Sequence, residues 1–451
     1  MQAPLPPAGA PAGPPLGVPL SPPPAKRACC ISVGCSENRL EGSLIASYLQ
    51  RNDWQMVEDP AAAELVIVNS CGFTAGNASQ SLALYKQLAA RCRPGARVLL
   101  AGCLPAVDRQ AVLAAGYDDV LITPRTLALL DDVIGARMPI AAGPLCDVIP
   151  CAADGLGLGF MFQHERAQRA VKTLARILIG ARCLPVPRWL WQFLYLPDSE
   201  VEFVRISMGC SSHCSFCCIP QAKGATRSVP PVVVLDQVRD ALRRGKRHVA
   251  LSCDELASYG QDLGIDIVQL LDRITALSGD YRVILRNVHP EWALRYWDGL
   301  LPILRRGRVS YMILPVQSGS DHVLGLMRRN HTAAQYRRLV DDIRTVAPAV
   351  ILRTHFLVGF PGETAQDFQE TCTFAAQLPV DSFCVHEYST RQRTVAVRLP
   401  DPVPPQVAHA RARALRRIGW ANYGRAFRWL PLRPASPCRP GGDEEEVGLR
   451  P

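Results

Sequence analysis

The sequence predicts an α/β protein in which an N-terminal doubly wound parallel-sheet domain is followed by a partial (β/α)6 barrel. Three observations carry this reading. Short β-branched apolar runs alternate with helix-length amphipathic segments, the pattern of parallel sheets. The alternation occurs twice, in residues 28–137 and 201–418, with an irregular Gly/Pro-rich stretch between. At 451 residues the chain has room for two or three cores, taking about 100–200 residues per domain.

The elements follow in order. Residues 1–27, rich in Pro, Ala and Gly, form a disordered leader: they have too little apolar bulk to repay ordering and lack a secretory signal's charged start and apolar run. ACCISVG, ELVIVNS, ARVLLAGC and DDVLIT read as strands, with helices near 38–51, 77–91 and 125–136 and a short one after the third strand. Cys35, Cys71 and Cys103 fall at the C-terminal ends of the first three, where open α/β sheets place their ligands. Residues 138–200, with an amphipathic helix at 165–180 and the aromatic run at 189–196, read as an interdomain connection folding back onto a neighbouring domain; a docking surface for substrate or membrane is the alternative. Strands then recur as EFVRISMG, HVALSC, RVILRNV, SYMILPV, VILRTHFLVG and DSFCVHEYS, with helices at 231–244, 265–277, 291–304 and 364–376 and helical segments spanning 321–345 between them. A basic, Pro-rich tail occupies 419–451. Such a barrel carries its chemistry at the strand C-termini.

No run of 18 apolar residues occurs, so the sequence predicts a cytoplasmic protein outside any membrane. The formal charge of +10 suits nucleic acid, ribosome or an acidic peptide as partner, or a solvated basic face. Seventeen cysteines without a secretion signal argue against a disulfide framework and for metal, cluster or thiol chemistry.

The sharpest signal is GCSSHCSFCCIP, directly after the first barrel strand, which spaces Cys210, Cys214 and Cys217 as C-x3-C-x2-C. Three thiolates hold three irons of a [4Fe–4S] cubane and leave the fourth open. An open iron can chelate the amino and carboxylate groups of S-adenosylmethionine, and an electron from the cluster then releases a 5′-deoxyadenosyl radical. The competing reading is a zinc site completed by Cys218 or His213.

With these residues in place, the chain resembles the radical S-adenosylmethionine methylthiotransferase family over residues 28–137 and 201–418. VGCSENRLEGS, VNSCGFTAGNASQS and AGCLPAVDRQ are similar to the three family blocks that each give one cysteine to an auxiliary [4Fe–4S] cluster, which assigns Cys35, Cys71 and Cys103 to it. LPVQSGSDHVLGLMRRNHT and RTHFLVGFPGETAQDF resemble segments lining the S-adenosylmethionine pocket: Gln317, Arg353, Thr354 and Gly359 become pocket candidates, and Phe216 borders the adenine. Gly359 and Gly362 also permit a tight strand-to-helix turn without any ligand, and Glu363 reads as the start of the next helix.

The resemblance implies methylation of a sulfur on the auxiliary cluster, hydrogen abstraction from an unactivated C–H bond, and capture of the methylthio group, with a reductase such as flavodoxin or ferredoxin supplying electrons. VNSCGF and ASYGQDL look most like RimO-type enzymes acting on a ribosomal-protein aspartate, whereas PVQSGS and NVHP lean to tRNA-modifying MiaB-type branches. The expected substrate is a protein or peptide side chain, with tRNA the alternative. Three departures bear on substrate: only 33 residues (451 − 418) follow Ile418 where the family carries a TRAM module, YSTRQRTVAV replaces a YSPRPGTPA-like turn, and the 138–200 connection is added. Rival functions are a radical enzyme using the auxiliary cluster only for electron relay or substrate binding, and a metal-stabilised binding protein without catalysis.

Overall fold

The computed structural model describes residues 26–140 and 201–425. The expected leader, the helix at 165–180, the aromatic run at 189–196 and the end of the tail lie outside the described residues.

The N-terminal sheet holds β1 (Arg27–Ser32), β2 (Gln55–Met56), β3 (Leu65–Ser70) and β4 (Arg97–Gly102), all parallel, in the order β2-β1-β3-β4. LVIVNS is buried along its whole length because both faces of this central strand are covered. Helices α1 (Ser36–Arg51) and α5 (Leu129–Ile134) pack Ile45, Tyr48, Leu49 and Leu130 on one face. Helices α2 (Ala75–Arg91), α3 (Cys103–Val107) and α4 (Arg109–Ala114) pack Tyr85, Leu88, Leu104 and Val112 on the other. Helices on both faces are the doubly wound arrangement. Thr74 and Asp108 start α2 and α4 by accepting from Asn77 N and Ala111 N.

Two local expectations change. The short β2 at the sheet edge was not anticipated, and DDVLIT forms no strand. There Asp119 takes the Val120 N–H on its own carboxylate (2.6 Å) while gripping Arg97 (2.6 and 2.7 Å), so a donor that a ladder would need is spent locally. Ile122 N still reaches Leu100 O at 3.4 Å.

In the second half β5 (Val201–Arg205) leads into β6 (Ser207–Met208), then α6 (Ile219–Lys223), β7 (Arg227–Ser228) and α7 (Pro231–Arg243). There follow β8 (His248–Ser252), α8 (Ile267–Thr275), β9 (Arg282–Leu285), α9 (Pro290–Arg295), α10 (Trp297–Arg305), β10 (Val309–Ile313), α11 (Asp321–Leu326), α12 (Ala333–Val346), β11 (Ile351–Val358), α13 (Ala365–Gln377), β12 (Ser382–Glu387) and α14 (Pro405–Arg425). The six main strands pair in parallel in the order β12-β11-β10-β9-β8-β5, the expected partial barrel. The predicted helix at 291–304 is broken at Tyr296, while the helical segments expected over 321–345 form α11 and α12, the latter opened by Thr332, whose side chain makes a capping box with Gln335.

Strand alternation sorts the barrel's two faces. Val201, Ala250, Ile284, Tyr311 and Ile351 close the bottom of the lumen, whereas Val204, Leu251, Leu285, Leu352 and Phe356 meet the helices outside. Above the plug the lumen turns polar. There Arg353 Nη2 donates to Cys384 Sγ (2.6 Å), and the rings of His355 and His386 meet edge to face, 5.3 Å apart. No helix among the described residues is long and apolar enough to cross a membrane.

Candidate active site

The loop after β6 is clamped at both ends. Ser207 and Met208 pair with Ser228 and Arg227, and Cys210 N donates to Gly224 O at 3.1 Å. Gly209 bends the chain between them with φ +90°; a Cβ there would lie 2.3 Å from Ala225 O. Backbone amides then aim at sulfur: Ser212 N lies 3.4 Å from Cys210 Sγ, and Ile219 N 3.4 Å from Cys217 Sγ. Cys214 Sγ is flanked by His289 Nε2 at 3.6 Å and receives Arg329 Nη1 at 3.4 Å. Burial pushes the Cys210 thiol up to about 12 and Cys217 well above its ordinary value, so these thiols stay protonated until a metal displaces the protons. Burial, with Arg329 and His331 nearby, pushes His289 down to about 2 and keeps it neutral.

Three thiols with amides and one guanidinium directed at them fit a thiolate-ligated cluster, whose sulfurs are tuned by such hydrogen bonds. The donors a zinc site would recruit do not join them: His213 is exposed, and Cys218 is packed against Val107 and Ala222. Among the described residues no group of three His, Cys, Asp or Glu is disposed to hold a single metal ion, whereas a cubane spreads its ligands over separate irons.

The second trio stands at the ends of neighbouring strands, Cys35 after β1, Cys71 after β3 and Cys103 after β4. Gly34 brings the first loop against Cys71, where a Cβ would lie 2.4 Å from the Cys71 Cβ. The Cys35 thiol hydrogen-bonds Cys71 and brings it down to about 7, helped by Phe73 N and Asn77 Nδ2, each 3.5 Å from its sulfur. Cys103 opens α3, and its apolar neighbours Ala106 and Val107 pack on Cys218 and Ala222 of the barrel's cysteine loop. The two trios therefore share a wall.

Polar contacts lock the halves together around that wall. Glu37, two residues after Cys35, accepts from Ser252 Oγ (2.5 Å) and pairs with Arg286 (3.3 Å), both at barrel strand ends. Ala75 N, at the start of α2, donates to Ser389 Oγ at 3.1 Å.

The pocket candidates separate. Phe216 meets Phe360 edge to face at 6.4 Å, beside the turn after β11. Gln317 lies four residues beyond the end of β10, bridged to Phe356 of β11 with φ +77°, its N donating to His355 O and its O accepting from Leu357 N, both 2.8 Å. Arg353 shares the lumen face with His355. Thr354 does not: it lies on the helix-covered face, receives Tyr336 OH at 2.9 Å and donates to Leu314 O at 2.8 Å, so its side chain is structural. Gly359 is where α14 approaches, a Cβ there falling 2.4 Å from Ala408 Cβ. Glu363 does not begin a helix. Its carboxylate accepts from Gly359 N (2.6 Å) and Arg411 Nη1 (2.7 Å), while Thr364 caps α13. Sequence reasoning missed His289, Arg329 and Glu37; the first two lay inside segments quoted only for resemblance, NVHP and LGLMRRNHT.

A parallel barrel with a three-cysteine loop on its first strand defines the class: a radical S-adenosylmethionine enzyme. The Radical SAM superfamily matches residues 204–375, and the uncharacterized protein family UPF0004 matches residues 27–123. A ribosomal protein uS12 methylthiotransferase RimO of Desulforudis audaxviator is 30% identical over 86% of this chain and 79% of its own length. A probable threonylcarbamoyladenosine tRNA methylthiotransferase of Pyrococcus abyssi is 28% identical over 86% of this chain and 82% of its own. In fold the chain is similar to the radical S-adenosylmethionine methyltransferase TsrM of Kitasatospora setae, with TM-score 0.55 and 12% identity over 82% of this chain and 77% of that one. The chain belongs to the radical S-adenosylmethionine methylthiotransferase family, and is an enzyme that uses S-adenosylmethionine and two [4Fe–4S] clusters.

Proposed function

We propose that Cys210, Cys214 and Cys217 hold the radical cluster, that Cys35, Cys71 and Cys103 hold the auxiliary one, and that the enzyme inserts a methylthio group into a C–H bond of a protein or peptide side chain in the cytoplasm. The observation that carries the two-cluster reading is the shared wall, where Cys103 and Cys218 belong to one apolar contact. When bound, the clusters and S-adenosylmethionine supply the radical and the sulfur. The chain supplies placement: amides and Arg329 steady the radical-site sulfurs, the Glu37 contacts fix the auxiliary loop over the barrel, and Phe216 with Phe360 offers an aromatic wall for an adenine.

The substrate class rests on VNSCGF and ASYGQDL together with the 30% identical relative, whose name specifies ribosomal protein uS12. Exposed Arg413 and Arg417 on α14, one turn apart, favour the tRNA reading instead. Anaerobic reactions with flavodoxin and reductase, supplied with ribosomal protein or bulk tRNA, separate the two. A methylthio mass increment on a protein side chain is the expected result; a methylthio-nucleoside with salt-sensitive tRNA binding would replace it. Absence of 5′-deoxyadenosine under all conditions would remove the radical chemistry.

A further inference from the structure

A cubane held by three thiolates carries net negative charge, and burying such charge is unfavourable without a compensating cation. Among the buried cations near the wall between the trios, Arg286 is paired with Glu37, and Lys223 is the one set in the barrel's cysteine-loop helix. Lys223 ends α6, next to Ala222, which packs against α3 just beyond Cys103. Its side chain is 6% exposed, and Nζ lies 2.9 Å from Asp254 Oδ1. The other oxygen, Asp254 Oδ2, accepts from Gly209 N at 2.9 Å, immediately before Cys210. The lysine is thereby pinned to the base of the radical loop, at the end of the helix that packs on the one Cys103 opens. An ammonium has three donors, and among the described residues Asp254 is the acceptor this one has. On α1, Glu41 is 1% exposed, and among the described residues neither of its carboxyl oxygens has a hydrogen-bond partner.

We propose that Lys223 is the charge partner of the auxiliary cluster: held on Asp254 against the Cys103 helix, its ammonium balances the cluster's negative charge and makes that cluster easier to reduce. Lys223 is a positioning residue and ligates no iron. The inference rests on Cys35, Cys71 and Cys103 holding a cubane, and the test separates the two statements.

Full-length protein carrying Cys210→Ala, Cys214→Ala and Cys217→Ala isolates the auxiliary cubane for potentiometric titration followed by electron paramagnetic resonance. At a fixed poise, Lys223→Gln should lower the reduced-to-oxidised ratio by about tenfold or more, from the loss of one unit charge at short range. Lys223→Arg, which keeps the charge, should leave it near the parent value. A loaded cubane whose ratio is the same with Lys223 and Lys223→Gln overturns this inference alone; failure of the Lys223 parent to load any cubane overturns the cysteine assignment and the inference with it. If Lys223→Gln does not load, loading restored by Lys223→Arg supports the charge role, and loss in both variants overturns it.

Discussion

At the scale of single residues, the chemistry is concentrated in what surrounds the sulfurs. Arg329, 7% exposed, reaches Cys214 Sγ at 3.4 Å from 115 positions along the chain. Replacing a group that supports a metal ligand in this way typically costs about 10–100-fold in affinity or activity. Arg329→Met should therefore cut 5′-deoxyadenosine formation by about that factor while the auxiliary cubane stays loaded, as read by anaerobic turnover and iron analysis. Cys210, Cys214 and Cys217 could be singled out in the sequence because C-x3-C-x2-C spacing on a strand–loop boundary is a local pattern, whereas Cys35, Cys71 and Cys103, scattered over three strand ends, could be grouped only through the family resemblance. Arg329 and His289 were not legible, because their role exists only once β9, β10 and the loop after β6 are brought together. Thr354 was misread for a related reason: the resemblance marked its segment, but strand alternation turns Arg353 to the lumen and Thr354 to the helices.

At the scale of elements, two turns make the same demand for a positive φ and meet it with different residues. In the turn after β12 the family-like glycine is replaced by Arg393, which still adopts φ +73°; the turn is kept, with Gln221 Nε2 donating to Arg393 O at 2.7 Å and Ala396 N to Ser215 O at 2.9 Å. A long side chain in the left-handed region costs about 1 kcal/mol. Arg393→Gly should consequently raise stability by about 0.5–1 kcal/mol, seen as a higher midpoint in thermal unfolding. Gly209→Ala should do the reverse, losing both stability and radical-cluster iron, since its Cβ has no room beside Ala225 O. The main strands and helices were readable from period alone, and the breaks were not. DDVLIT has the apolar pattern of a strand, yet the Asp119 carboxylate captures the amide it would need; the helix at 291–304 is divided by a turn that apolar periodicity runs straight through.

At the scale of the whole molecule, burial makes stability depend on pH. Burial first, with Arg282 near His248 and Arg353 near His386, pushes both imidazoles down to about 4. A depressed folded value means the unfolded chain binds protons first, so their stabilisation is complete above the ordinary value near 6.5 and is lost as pH falls toward 4. Unfolding by urea at pH 7 and pH 5 should differ by about 1–2 kcal/mol per histidine, and His248→Gln should shrink the difference. The two sheets and their order along the chain were legible in the sequence; the join was not, because Glu37 with Ser252 and Arg286, and Cys103 with Cys218, are pairings across more than a hundred residues.

Independent loading of the two trios is the central requirement of a two-cluster enzyme. Iron and sulfide analysis with Mössbauer spectroscopy on three anaerobically reconstituted proteins addresses this: the parent, the Cys210/Cys214/Cys217→Ala variant and the Cys35/Cys71/Cys103→Ala variant. The expected contents are about eight, four and four irons, all in cubanes, with 5′-deoxyadenosine lost only in the first variant. Full iron retained in the Cys35/Cys71/Cys103→Ala protein, or cofactor cleavage surviving in the Cys210/Cys214/Cys217→Ala protein, would contradict it.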